Sequence, residues 1–158
     1  MIKLELLLAF ILITLCSFGQ DDNINNIDNK GESNIYFQAI KESLSFIKTK
    51  GFPKDTLFLE EDYKLTTNIL PSCAGTSIIL LDPQKLWEKV SMTKAIDLYR
   101  IYPLSYSEGE FFISIVPYAV SLNKEDNTFR YIYAGGYKVL FKFDGKKFVF
   151  EKVIQHSI

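Results

Sequence analysis

One histidine, His156, and two cysteines, Cys16 and Cys73, are the chain's whole stock of the residues best suited to nucleophilic and transition-metal chemistry. A Cys73/His156 couple would need a thiolate beside an imidazole. Cys73 lies in PSCAG, with no recognisable helix start after it to lower the thiol pKa, and His156 is third from the C-terminus. A serine nucleophile at Ser72 or Ser77 would depend on the same distant imidazole, and G-x-S-x-G is absent. One His and one Cys cannot complete a structural zinc set, and phosphate loops, dinucleotide fingerprints and calcium loops are missing. No metal and no cofactor is therefore expected.

Carboxylates are the remaining acid and base candidates: Glu60-Glu61-Asp62, Asp97, and the pair Glu108/Glu110. Neighbours on a strand point to opposite faces, so Glu60 and Glu61 cannot act together if that strand is regular. Asp97 interrupts the apolar run AIDLYRIY and is expected to form an ion pair with Arg100.

Aromatic density offers a different chemistry. Phe129, Tyr131 and Tyr133 share one strand face, Tyr137 follows Gly135-Gly136, and Tyr99, Tyr102 and Tyr106 cluster upstream. Such side chains most often fill a core, with the tyrosine hydroxyls reaching solvent. If they line an open concavity they bind an apolar or sugar-like ligand, or a protein. The candidate binding set is Tyr131, Tyr133, Gly135, Gly136 and Tyr137, the glycines admitting a ligand close to the backbone.

The elements that must position these residues are legible in part. YKVLFKFDGKKFVFEKV, from Tyr137 to Val153, predicts a β-hairpin around a two-residue Asp144-Gly145 turn. That turn sets Phe143 opposite Lys146, Phe141 opposite Phe148 and Val139 opposite Phe150, with Leu140 opposite Val149 and Lys138 opposite Glu151 on the other face.

Ser33 to Lys50 carries Tyr36, Phe37, Ile40, Leu44 and Ile47 at helical spacing. Ser33 is expected to cap it, Gly51 to end it with Phe52 packing back, and Pro53 to stop it. Thr56 to Glu60 and Ser77 to Leu81 predict strands with a loop around Cys73. Asp82-Pro83 predicts a short second helix near 83–90 packing through Trp87. Ala95 to Tyr102 reads as a strand ending at Pro103, in preference to an extension of that helical region. Glu110 to Leu122 predicts a long strand in which Pro117 implies a bulge or a sheet edge. Thr128 to Ala134 returns, and Gly135-Gly136 is a bulge or bend before the hairpin.

The fold class expected is α+β: an N-terminal helix packed on a curved antiparallel sheet. In order of elements only, from Ser33 to Ile154, this resembles the cystatin-like and nuclear-transport-factor-2-like (NTF2-like) rolls. A likeness at that level transfers no function.

The N-terminus predicts export. MIKLELLLAFILITLCSFGQ has Lys3, an apolar run from Leu6 to Leu15 too short to span a bilayer comfortably, and small residues at Ser17 and Gly19. Residues 1–19 are expected to be a signal peptide, 20–32 an Asn/Asp-rich flexible leader, and 33–158 a single domain. The alternative is lipidation at Cys16, for which Leu15 is an unusual preceding residue. Without the signal peptide Cys73 is the one remaining thiol, no internal disulfide can form, and the core must carry stability.

The chain has 18 basic and 19 acidic residues, and losing Lys3 and Glu5 with the signal peptide leaves the net charge at −1. Charge alone therefore recruits neither nucleic acid nor an anionic membrane. The expected function is an exported, periplasmic or extracellular, non-enzymatic module binding a small ligand or a protein. The alternatives are a small envelope hydrolase using Asp97 or Glu108/Glu110 in a roll pocket, and an inhibitor or immunity-type protein.

Overall fold

Asn34 opens the first described helix, α1 (Ile35–Thr49), because its side-chain oxygen accepts the otherwise unpaired N–H groups of Tyr36 and Phe37 at 2.8 and 3.3 Å. The computed structural model describes residues 34–123, 125–133 and 135–156; Ser33 and the expected signal peptide and leader lie outside them. Gly51 at φ 85° closes α1, with its N–H donating to the Lys48 carbonyl and that of Phe52 to Ile47. The Phe52 ring does not pack back as expected and is 71% exposed, so the backbone bonds make this cap without it.

The chain continues as β1 (Thr56–Glu60), β2 (Ser72–Cys73), β3 (Thr76–Leu81), α2 (Pro83–Thr93), β4 (Ala95–Ile101), β5 (Ser105–Ser107) and β6 (Glu110–Asn123). It ends with β7 (Thr128–Tyr133), β8 (Gly136–Phe143) and β9 (Phe148–His156). Asp82 caps α2 by accepting the Lys85 N–H at 2.7 Å, and Pro83 occupies its first turn.

Among the described residues nine strands join one sheet in the order β2-β3-β1-β4-β6-β8-β9, with β5 and β7 also on β6. The sheet is mixed rather than antiparallel throughout. β1 runs parallel to both β3 and β4, because long connections carry the chain from β1 to β3 and, through α2, from β3 to β4. From β4 onward every pairing is antiparallel.

The two described helices cover opposite faces. α1 sets Phe37, Ile40, Leu44 and Ile47 against Leu59, Ile101, Ile113, Ile115, Val139 and Phe141. α2 sets Leu86 and Val90 against Leu81, Ile96, Leu98 and Val120, while Trp87 meets Phe129 edge-on at 5.6 Å. Burying each such aliphatic or aromatic side chain stabilises the fold by about 1.5–3 kcal/mol, which ties the alternation of β4 and β6 to these two faces.

Three irregularities decide where side chains end up. Tyr133 pairs with Tyr118 but Tyr137 with Ile115, so the bend at Gly135 (φ 90°) inserts one extra residue between β7 and β8. β7 and β8 are thus one long strand lying on β6, broken by a bulge. Pro117, by contrast, sits in register opposite Tyr99 without a bulge, in an interior strand. It falls where the other flank of β6 changes partner from β7 to β8, a gap in which a missing donor costs no ladder bond.

The hairpin register also differs from expectation. Asp144 accepts the N–H groups of Lys146 and Lys147, both at 2.9 Å, and donates its own N–H to the Lys147 carbonyl. The loop therefore takes four residues, and Phe143 pairs with Phe148 and Phe141 with Phe150. Since the shift is by two, the same rings stay on the α1 face. Glu151 is then an inserted residue, after which Lys152 pairs with Leu140 and Val153 with Val139.

Candidate functional site

Arg100 lies on the α2 face with Ile96 and Leu98, and a guanidinium there needs an anionic partner. The parallel register that pairs Phe58 with Leu98 and Leu59 with Tyr99 brings Glu60 level with it. Arg100 Nε donates to Glu60 Oε2 and Nη2 donates to Oε1 at 2.7 Å, a forked pair with both side chains about one-third exposed. The Glu60 carboxylate raises the already high pKa of the guanidinium, so Arg100 stays charged.

Tyrosines surround this pair. The guanidinium lies 5.3 Å from the ring centre of Tyr118 and 5.7 Å from that of Tyr131. Tyr118 meets Tyr131 edge-on at 6.0 Å and Tyr133 at a tilt at 6.1 Å, and its hydroxyl is 2.9 Å from that of Tyr102. The Tyr102 hydrogen bond raises the Tyr118 phenol pKa, and burial raises that of Tyr131, so both rings carry neutral hydroxyls at physiological pH. Tyr131 and Tyr133 remain 39% and 37% exposed.

A cleft of about 400 Å³ reaches this cluster through Arg100 and Tyr102, which line it together with Glu60, Glu61, Asp62 and Thr66 among others. It lies beyond the carboxyl ends of the neighbouring parallel strands β1 and β4. From there the chain departs in opposite directions, to β2 and β3 on one side and to β5 and β6 on the other. Diverging loops of this kind leave a crevice, as in open α/β sheets. Its wall is held by Asp62, whose carboxylate accepts the Lys64 and Leu65 N–H groups at 2.8 and 3.2 Å, and by buried Thr66, whose hydroxyl donates to the Asp62 carbonyl at 2.7 Å. A second cleft of about 540 Å³, between the end of α1 and the β2–β3 turn, has no tyrosine in its lining.

The expected binding set is divided by the bulge. Tyr131 and Tyr133 stand on the α2 face, but the extra residue reverses the alternation and turns Tyr137 onto the α1 face, where it packs half-buried at 6.1 Å from Phe46. Gly135 and Gly136 are buried, and a side chain on Gly136 would press on the His156 ring at 3.1 Å and the Ile115 carbonyl at 3.2 Å. At Gly136 the space beside the backbone is thus taken by its own neighbours. The upstream cluster separates too: Tyr99 is buried on the α1 face, Tyr102 borders the cleft, and Tyr106 packs on Phe111.

The catalytic candidates are scattered as well. Asp97 bonds Lys54 at 3.2 Å on the α1 face rather than Arg100, because residues three apart on a strand point opposite ways. Glu108 sits in a turn at φ 55°, and Glu110 lies 4.0 Å from Lys152. Cys73 and His156 occupy the two terminal strands of the sheet. Among the described residues no three His, Cys, Asp or Glu side chains converge on a metal position.

Sequence reasoning missed Glu60, Arg100 and Tyr118 as a unit. The available signal was period two: Ile96, Leu98 and Arg100 share a face, so a charge on that face required a partner from a neighbouring strand. No family model, curated protein or solved structure matches this chain.

Proposed function

We propose that the chain is an exported binding protein without catalytic activity, and that its partner is a protein segment seated on Tyr131 and Tyr133 with one side chain in the adjoining cleft. One observation carries this reading: Tyr118, Tyr131, Tyr133 and Arg100 stand together, partly exposed, and Arg100 also lines an open cleft. Tyr and Arg dominate the energetics of protein interfaces, and rings fixed by mutual packing lose little entropy on binding. An inhibitor or immunity-type protein would use the same surface. The likeness to cystatin-like and NTF2-like rolls is proposed for the antiparallel half alone, with the site at its border with the parallel strands.

The test is recovery of tagged protein from the native host, comparing the native chain with Tyr131→Ala/Tyr133→Ala and with Phe52→Ala, a distant exposed control. A partner retained by the native chain and the control but at least tenfold depleted from the tyrosine variant, with all three proteins folded, is the expected result. Equal recovery by all three would reject this surface.

A further inference from the structure

The last strand, β9, pairs with β8 on one side, and no described strand pairs with its outer edge. Its sequence from Val149 to Ile154, VFEKVI, is self-complementary when reversed: Glu151 falls against Lys152, Phe150 against Val153, and Val149 against Ile154.

In a regular strand that reversal could not be used. Glu151 and Lys152 would point to opposite faces, as would Phe150 and Val153, whereas residues opposed in an antiparallel ladder share a face. The inserted residue at Glu151 removes the conflict. After it, Phe150 and Val153 both pack against the α1-face core, and Val149 and Ile154 both lie on the α2 face, 42% and 40% exposed. The bulge therefore allows a two-fold axis between Glu151 and Lys152, with apolar residues meeting apolar ones on both faces.

We propose that two copies of this chain associate edge to edge through β9, continuing the sheet across that axis. The occupant is a second copy because the complementarity is of the strand with itself in charge, apolar pattern and face, as an isologous contact requires. Glu151 of each copy meets Lys152 of the other, so the contact carries two opposite-charge pairs, and an open strand edge supplies the backbone donors and acceptors. An interface confined to one edge is small, and its dissociation constant is on the order of 10⁻⁵ to 10⁻⁴ M. Edge pairing leaves the tyrosines on β6 and β7 uncovered.

The test is sedimentation of the full chain from about 10 µM to 1 mM, with Glu151→Lys and Lys152→Glu alone and mixed in equal amounts. The native chain should pass from monomer to dimer. Each variant alone opposes like charges at both contacts and should associate at least tenfold more weakly. Their mixture restores opposite charges at both contacts and should recover native association. Each variant also loses one exposed ion pair, Glu151 with Lys142 or Lys152 with Glu110, at little cost to folding, which the melting temperature checks. A native chain monomeric at 1 mM, variants that associate as well as it does, or a mixture that fails to recover would each overturn the proposal.

Discussion

Removing Glu60 and Arg100 separately and together tests the core of the site. The pair is forked and about one-third exposed, so its worth lies between that of a surface ion pair, about 0–1 kcal/mol, and the loss of about 3–5 kcal/mol when a buried pair is broken. Glu60→Gln keeps the shape and one acceptor and should cost about 1 kcal/mol. Arg100→Met also removes the stacking on Tyr118 and Tyr131, about 0.5–1 kcal/mol, and leaves Glu60, which lines the cleft with Glu61 and Asp62, without its counter-charge, for about 2 kcal/mol in all. At roughly 4 °C per kcal/mol for a domain of this size, the single variants should melt about 4 and 8 °C below the native protein. The double variant should fall about 1 kcal/mol short of the summed losses, since its second change removes a charge that the first has already deprived of its partner. Urea unfolding of all four proteins measures this. Losses additive to within about 0.3 kcal/mol would refute a coupled pair.

Tyr131→Ala/Tyr133→Ala should lower stability by less than about 2 kcal/mol and abolish partner capture, whereas Tyr137→Ala, which strips a ring from Phe46 and the α1-face core, should cost about 2–3 kcal/mol and spare capture; the reverse pattern would place the site on the other face. Stability should also decline in alkali. Burial holds the Tyr99 phenol above its ordinary 10.0, against the opposing pull of Lys54, so the unfolded chain loses that proton first. The contribution is full below about pH 10 and disappears as pH rises through the raised value. Lys54 acts in the same direction: burial pulls its ammonium pKa down, but Tyr99 and Asp97 together more than offset it. Melting temperatures from pH 8 to 12 should fall less steeply for Tyr99→Phe than for the native chain, and identical slopes would contradict this.

Elements marked by local chemistry were legible in the sequence: the Asp82-Pro83 start of α2, the Gly51 stop of α1, and the apolar alternation of β6, whereas for β4 the sequence favours a strand over a helical extension. The hairpin was found but its loop mis-sized, because Lys146 and Lys147 fit a strand as readily as a loop until Asp144 bonds both N–H groups. Single inserted residues did the greater harm. The bulge at Gly135 was anticipated, but its reversal of facing beyond Tyr133 was not carried through to Tyr137, and the insertion at Glu151 left no local mark. The Glu60–Arg100 pair rests on β1 and β4 being parallel neighbours, a matter of strand order across forty residues that no window of sequence contains.

The most direct measurement of the binding claim is tyrosine labelling of the protein in its native host, compared with the same protein purified alone. Tyr106, more exposed than Tyr131 and Tyr133 and packed on Phe111 away from the cleft, serves as the internal control. Tyr131 and Tyr133 should label several-fold less in the host while Tyr106 labels equally in both. Equal labelling of all three, or protection of Tyr106 instead, would contradict the binding claim.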